Sequence, residues 1–219
     1  MNSLIIIGAS STISRELELN LRESFRITMA GRGENKFFDA NEISNESIEE
    51  LFDKQYDKYI FNIGIIYPKR ILNQTTDEII SSVNVNLLFI VKACEHILET
   101  NPTASIFIIG SESGKKGSFD TTYFLTKAAL RAYVKERAIS HPNQSIVLFS
   151  PSTIVDAGMT TRRQDKNRLD EYQREHPKQR FLTSQEVSRC ISAFLSDEFS
   201  YISNTEIEIN GGKFSRMKY

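Results

Sequence analysis

Four consecutive apolar residues, Leu4-Ile5-Ile6-Ile7, run without a polar interruption and stop at Gly8. A run with no alternation has no face to offer water, so it predicts a strand covered on both sides, as in a parallel sheet. Directly after it, Ile13, Leu17 and Leu21 recur at helical spacing. The same pairing returns down the chain. Arg26–Ala30, Lys58–Ile63, Ser105–Ile109, Ser145–Phe149 and Glu206–Ile209 read as strands, with helical patterns over Asp77–Glu99, Thr121–Ser140 and Ser184–Leu195. Strands alternating with helices imply right-handed β-α-β crossovers. The expected fold is α/β: a single doubly wound, Rossmann-type domain over residues 1–219 with a mostly parallel sheet.

One connection breaks the pattern. Only Gly31–Asn35 separates the second strand from Lys36-Phe37-Phe38-Asp39, whereas a parallel crossover needs roughly a dozen residues. A helix is missing there, and the third strand is expected to be short or irregular.

Bulk properties narrow the function. The 27 Lys plus Arg nearly balance 28 Asp plus Glu, which argues against nucleic acid or a membrane surface as the main partner. Cys94 and Cys190 are too few for a disulfide scaffold or a zinc site, so no metal is expected. No apolar run approaches the roughly 18 residues of a membrane span. The start, Met1-Asn2-Ser3, lacks the basic residues of a signal peptide. The expected location is the cytoplasm.

Gly8-Ala9-Ser10-Ser11-Thr12-Ile13-Ser14 joins the first strand to the first helix. There a dinucleotide pyrophosphate would meet backbone N–H groups, with hydroxyls of Ser10, Ser11 and Thr12 adding hydrogen bonds. A capped turn with Ser11 or Thr12 as N-cap explains the same residues equally well. Arg32 follows the second strand, at the tip that faces an adenosine ribose, and favours a 2′-phosphate over a free hydroxyl. This tilts the expected cofactor to NADP(H), with NAD(H) as the alternative.

Ile106-Phe107-Ile108-Ile109-Gly110-Ser111 places a serine at a strand's carboxyl end, where ligands bind in open sheets. Twelve residues later Tyr123 and Lys127 open a helix, four apart and so on one face. A cation beside a phenol lowers its pKa from about 10. Such a tyrosine can act as general acid or base.

In this order the residues resemble the short-chain dehydrogenase/reductase family, nearly end to end. Gly8–Ser14 resembles its nucleotide turn and Asp39-Ala40 its acidic pair near the adenine. Phe61-Asn62-Ile63-Gly64 resembles its Asn-Asn-Ala-Gly element, and Val85-Asn86-Leu87 a stretch of its central helix. Ser111-Glu112-Ser113-Gly114 and Tyr123–Lys127 match its active-site pattern. Ser150-Pro151-Ser152-Thr153-Ile154 resembles the segment beside the nicotinamide, and Ile209-Asn210-Gly211-Gly212 its closing strand. The resemblance implies that Tyr123 passes the proton and that Ser111 holds the substrate oxygen. Lys127 would bind the nicotinamide ribose and keep the phenol's pKa down. Asn86, with Asn84 as competitor, would link Lys127 to water through a break in the helix, and the Ile154 backbone would meet the carboxamide. Thr12 and Ser14 stand where the family carries glycines, as do Ser152 after Pro151 and Asn204 before the last strand.

Residues 157–181 occupy the place of the family's substrate lid. They carry Arg162, Arg163, Lys166, Arg168, Arg174, Lys178 and Arg180 among Asp165, Asp170, Glu171 and Glu175. With Lys115 and Lys116 they make an anionic small-molecule substrate a candidate, although a solvated charged helix is the favoured reading. The resemblance also implies a homodimer or homotetramer on the central helices. The stripe Val83, Leu87, Val91 and Leu98 suits that interface or the chain's own core. The leading functional expectation is hydride transfer between a nicotinamide and a carbonyl or alcohol. A nucleotide-sugar-modifying relative and a catalytically weak NADP(H)-binding sensor are the alternatives.

Overall fold

The computed structural model describes residues 1–34, 36–161 and 166–215. In chain order its elements are β1 Asn2–Ile7, α1 Thr12–Leu21, β2 Phe25–Ala30, α2 Asn45–Leu51 and β3 Lys58–Phe61, then α3 Thr76–Val83, a π-helical turn Asn84–Leu88, and α4 Phe89–Thr100. There follow β4 Ser105–Ile109, α5 Ser113–Lys116, α6 Thr121–Glu136, β5 Ser145–Pro151, α7 Gly158–Thr161, α8 Lys166–Glu175, α9 Ser184–Phe194 and β6 Thr205–Ile209. The strands form one sheet in the order β2-β1-β3-β4-β5-β6, and every pair is parallel.

Alternation along each strand sorts the apolar side chains into two cores. Ile5, Ile7, Phe61, Ile106, Ile108 and Leu148 face one side, packed on Phe89, Ile90, Ala93 and Ile97 of α4 and Leu130 and Val134 of α6. Leu4, Ile6, Ile60, Phe107, Val147 and Phe149 face the other, against Ile13, Leu17 and Leu21 of α1 and Val187 and Ile191 of α9. Burying one such side chain is worth about 1.5–3 kcal/mol. Leu4 to Ile7 are all fully buried, which only an interior strand permits.

The short connection after β2 has the expected result. Lys36 forms a single parallel bridge with Ala30, and Gly31 N–H donates to the Lys36 carbonyl at 3.0 Å. Phe38 covers part of the exposed face, its ring stacked on Phe89 at 5.2 Å between centroids.

Helices α3 and α4 with the π turn form one rod, Thr76–Thr100, close to the predicted span. Contrary to the sequence reading, this helix is long and apolar enough, by length and composition, to cross a membrane. Here its apolar stripe serves the core: Leu98 is fully buried, and Leu87 and Val91 pack against the same cluster. Ile80 and Leu88 are its exposed apolar residues.

Helix α6 stops at Glu136 instead of continuing to Ser140. Gln144 Oε1 accepts from the N–H groups of Ser140 and His141, at 2.9 and 3.0 Å, and turns the chain. Asn204 holds the helix end from the other side, donating to the carbonyl of Val134 at 3.0 Å and to that of Arg137. Asn204 has φ +51, a conformation glycine would take, and asparagine is among the residues that tolerate it.

Candidate active site

Strand β1 lies between β2 and β3, and the chain leaves β1 and β3 toward helices on opposite faces of the sheet, so the carboxyl ends of these two strands mark the crevice of the fold. Gly8 sits in that crevice with φ +97, and a Cβ there would stand 2.1 Å from the Asn62 carbonyl oxygen. Only glycine lets the two loops meet this closely. The N–H groups of Gly8 and Ala9 both donate to the Ala30 carbonyl, at 2.9 and 3.1 Å.

The turn's hydroxyls divide into scaffold and surface. Ser11 Oγ accepts from Ile13 N–H at 3.2 Å and caps α1. Ser14, fully buried, donates to the Gly8 carbonyl at 2.8 Å. Asn62 Nδ2 donates to both Ser11 and Ser14, at 2.9 and 2.8 Å. Thr12 Oγ1 shares a hydrogen bond of 2.9 Å with Ser184 Oγ on α9. Both side chains that stand in place of glycines are thus taken up by the scaffold. Ser10 is exposed, and its hydroxyl has no partner among the described residues. The first turn of α1 carries no acidic residue. A ten-residue helix with a neutral N-cap and a close-fitting glycine suits a pyrophosphate.

Arg32 is exposed beyond β2, while the neighbouring acid, Glu34, is paired with Arg15. Asp39 accepts from Asn41 N–H of its own turn at 3.0 Å, and Ala40 is buried in the core.

Across the crevice, Ser111 follows β4, and its Oγ accepts from Ser113 N–H at 3.1 Å. The Ser111 side chain lies near enough to the Tyr123 phenol to lower its pKa. Tyr123 and Lys127 are both buried, with the ammonium 5.7 Å from the phenol ring's centroid. Gly114 brings α5 onto this helix: a Cβ would lie 2.7 Å from the Lys127 carbonyl. Lys127 Nζ donates to the Ile63 carbonyl at 3.5 Å.

The π turn is the break in the central helix. Within it Asn86 is fully buried, accepting from Ile65 N–H at 2.8 Å and donating to the Ile65 carbonyl at 3.0 Å. Asn84 is partly exposed, so the register favours Asn86. A Cβ on Gly64 would lie 3.2 Å from Asn86 Oδ1 and 3.6 Å from Lys127 Nζ. The glycine keeps this space open beside the ammonium.

One sequence expectation needs correcting. Burial pushes the Tyr123 phenol up, the nearby Ser111 side chain pulls it down, and the Asp120 charge pushes it up again, leaving it above its ordinary value. Burial likewise lowers Lys127 to about 8. In the protein alone the phenol is not held low by its neighbouring lysine.

Pro151 closes β5, and its carbonyl accepts from Glu112 N–H at 3.0 Å. Ile154 bridges Leu182 through the flanking Thr153 carbonyl and Val155 N–H. Its own N–H and carbonyl take no part in that pairing. The chain then enters α7, where Met159 Cε would lie 3.5 Å from a Cβ on Gly64.

Three of the basic residues expected to attract an anion have carboxylate partners. Lys115 pairs with Glu208 at 2.5 Å, Lys116 with Glu112 at 2.5 Å, and Arg180 with Glu186 at 2.6 Å. Helix α8 is solvated, with Arg168, Asp170, Glu171, Arg174 and Glu175 exposed. Arg162, Arg163 and Asp165 lie outside the described residues, as does the side chain of Lys166.

Sequence reasoning missed two buried acids. Glu112 receives Lys116 and also Lys213, at 2.8 Å, from beyond β6. Burial opposes its ionisation, but the two ammonium groups hold it below the usual carboxylate range. Asp120 caps α6 by accepting from Tyr123 N–H at 2.9 Å. An aspartate three residues before the tyrosine that opens a helix is a cap signal the sequence did offer.

A family profile described as Enoyl-(Acyl carrier protein) reductase matches residues 29–213. The chain belongs to the short-chain dehydrogenase/reductase family. That match begins after the turn at Gly8, so the turn itself lies outside it. A relative in Buchnera aphidicola subsp. Baizongia pistaciae (strain Bp), 3-oxoacyl-(acyl-carrier-protein) reductase FabG, is 26% identical and spans 96% of each chain. Among solved structures of this fold, ElxO with NADP bound has a TM-score of 0.85 at 20% identity, covering 99% of this chain and all of its own. An actinorhodin polyketide ketoreductase with NADPH has a TM-score of 0.86 at 16% identity, covering 98% and 97%. Aldohexose dehydrogenase of Thermoplasma acidophilum, in ligand-free form, has a TM-score of 0.82 at 22% identity, covering 100% and 96%. The short-chain dehydrogenase/reductase fold therefore accounts for the whole sheet, including its switch point between β1 and β3.

Proposed function

We propose that this member of the NAD(P)-dependent oxidoreductases is an NADP(H)-preferring enzyme acting on a carbonyl or alcohol carbon of a small molecule, with Tyr123 as its general acid/base. The observation that carries this reading is the buried Tyr123 with the Lys127 ammonium 5.7 Å from its ring centroid, on the helix that α5, just after Ser111, packs against. In this reading Gly8, Ser10, Ser11, Thr12 and Ile13 seat the pyrophosphate. Arg32 meets the 2′-phosphate, and Asp39 and Ala40 flank the adenine. Asn62, Ile63, Gly64, Pro151 and Ile154 wall the nicotinamide, which supplies or accepts the hydride when bound. Lys127 holds the ribose, Asn86 fixes the loop that Lys127 touches, and Ser111 holds the substrate oxygen while Tyr123 gives or takes its proton. NADP or NADPH is the ligand named for two of the fold's solved neighbours, in keeping with the Arg32 reading.

The experiment is turnover of NADPH against a panel of aldehydes and ketones. Tyr123→Phe should lower kcat by about 100- to 10,000-fold and leave NADPH affinity nearly unchanged. Turnover undiminished in that variant would remove Tyr123 from the chemistry.

A further inference from the structure

The stretch after β3 is anchored at alternate residues by buried side chains of the helices. Ile63 is met by Lys127, and Ile65 is bonded at both N–H and carbonyl by Asn86. Tyr67 N–H donates to Asp120 Oδ2 at 2.6 Å. The third anchor differs from the other two in carrying a negative charge. Asp120 is fully buried, and its Oδ1 accepts from Gln74 Nε2 at 2.8 Å and from Tyr123 N–H at 2.9 Å. Gln74 is fixed in turn by Thr122 Oγ1 and by the Tyr67 carbonyl. The donors to this carboxylate are all neutral amides, so its charge is solvated by dipoles rather than neutralised by a cation.

We propose that Asp120 is a positioning residue for proton transfer: its buried carboxylate fixes the turn bearing Tyr123 against the Ile63–Tyr67 stretch and sets a negative charge at the base of that tyrosine, poising the site to reduce a carbonyl. The proposal rests on the reading of Tyr123 as the proton-transfer group. The charged groups beside that tyrosine are the Lys127 ammonium, 5.7 Å from its ring centroid, and Asp120, bonded to its backbone N–H at 2.9 Å, while the neutral Ser111 side chain follows β4. In the reducing direction the carbonyl carbon gains a hydride from the reduced nicotinamide, and the carbonyl oxygen gains the Tyr123 proton. The phenolate then recovers a proton from solvent. One carbonyl, one NADPH and one proton give one alcohol and one NADP+.

Asp120→Asn tests this, because a neutral group replaces the charge at nearly the same size. Two readouts are needed: the Tyr123 phenolate absorbance, taken as the difference from Tyr123→Phe, and the pH profile of carbonyl reduction with saturating NADPH. Removing a nearby negative charge should lower the phenol's midpoint by about one pH unit. The alkaline fall in reduction should move to lower pH by the same amount, while oxidation of the matching alcohol gains relative to reduction. Gln74→Ala loosens the same cluster but keeps the carboxylate, and should move neither midpoint. An unchanged midpoint in Asp120→Asn, or an equal shift in Gln74→Ala, would overturn the proposal. If Asp120→Asn does not fold, Asp120→Ser, which still offers the helix an acceptor, carries the same test. Failure of both to fold would make Asp120 a fold element only, and the proposal falls. A shifted phenolate midpoint without turnover on any carbonyl would keep the charge effect and remove the reductase reading.

Discussion

Helices α1 and α6 both begin at the rim of the crevice, and each has one side chain closing its first turn: Ser11 on α1 and Asp120 on α6. Ser11 is neutral and partly exposed, and no acid follows it in the first turn. Asp120 is a buried carboxylate. A helix N-terminus carries a partial positive charge that favours an anion. At α1 that preference is left for a ligand, whereas at α6 the chain has filled it with its own charge. The difference separates two tasks. On the proposed function, one end is the seat for a phosphate that comes and goes, and on the further inference the other fixes a phenol in place and sets when it releases its proton.

Three changes test this contrast, the most severe first. Gly8→Ala should destroy the α1 seat. Its methyl group would meet the Asn62 carbonyl, and its φ of +97 is strained for any side chain, at a cost of about 1–3 kcal/mol from backbone alone. NADPH binding should vanish in calorimetry and the melting temperature should fall; binding at the parent's affinity would mean the loops meet elsewhere. Ser11→Asp makes α1 resemble α6. It should leave the melting temperature intact, since aspartate is a good N-cap, but weaken NADPH by about 30-fold, as roughly 2 kcal/mol of favourable helix-end field is cancelled. Unaltered affinity would mean the diphosphate does not sit on α1. Arg32→Ala probes how far the seat extends. It should weaken NADPH about tenfold and NADH hardly at all, for the loss of one charged hydrogen bond to a 2′-phosphate. Equal weakening of both would detach Arg32 from the phosphate.

The features legible in the sequence were those written locally. The apolar run before Gly8, the spacing of Tyr123 and Lys127, and the length of the connection after β2 each act within a few residues, and each led to the observed element. The outcome at Lys36, a single bridge, follows from the five residues available to the crossover. The parts that were not legible depend on partners far along the chain. Thr12 finds Ser184 172 residues away, and Asp120 finds Tyr67 and Gln74 at separations of 53 and 46. No local period encodes such meetings. The end of α6 has the same origin, because Asn204, not a residue of the helix, takes its last carbonyls. The upward shift of Tyr123 could not be read from the Tyr-Lys spacing either, since it comes from burial and the Asp120 charge.

The single bridge at Lys36 also affects how this molecule behaves in company. It leaves β2 as the margin of the sheet, with hydrogen-bonding groups along most of its length facing outward rather than to another strand. Such a margin is a template on which a stray extended chain can continue the sheet. Two features blunt it here: the strand is only six residues long, and it places the exposed, charged Arg26 near its start. Removing that charge would leave the guarding of this margin to the brevity of one strand.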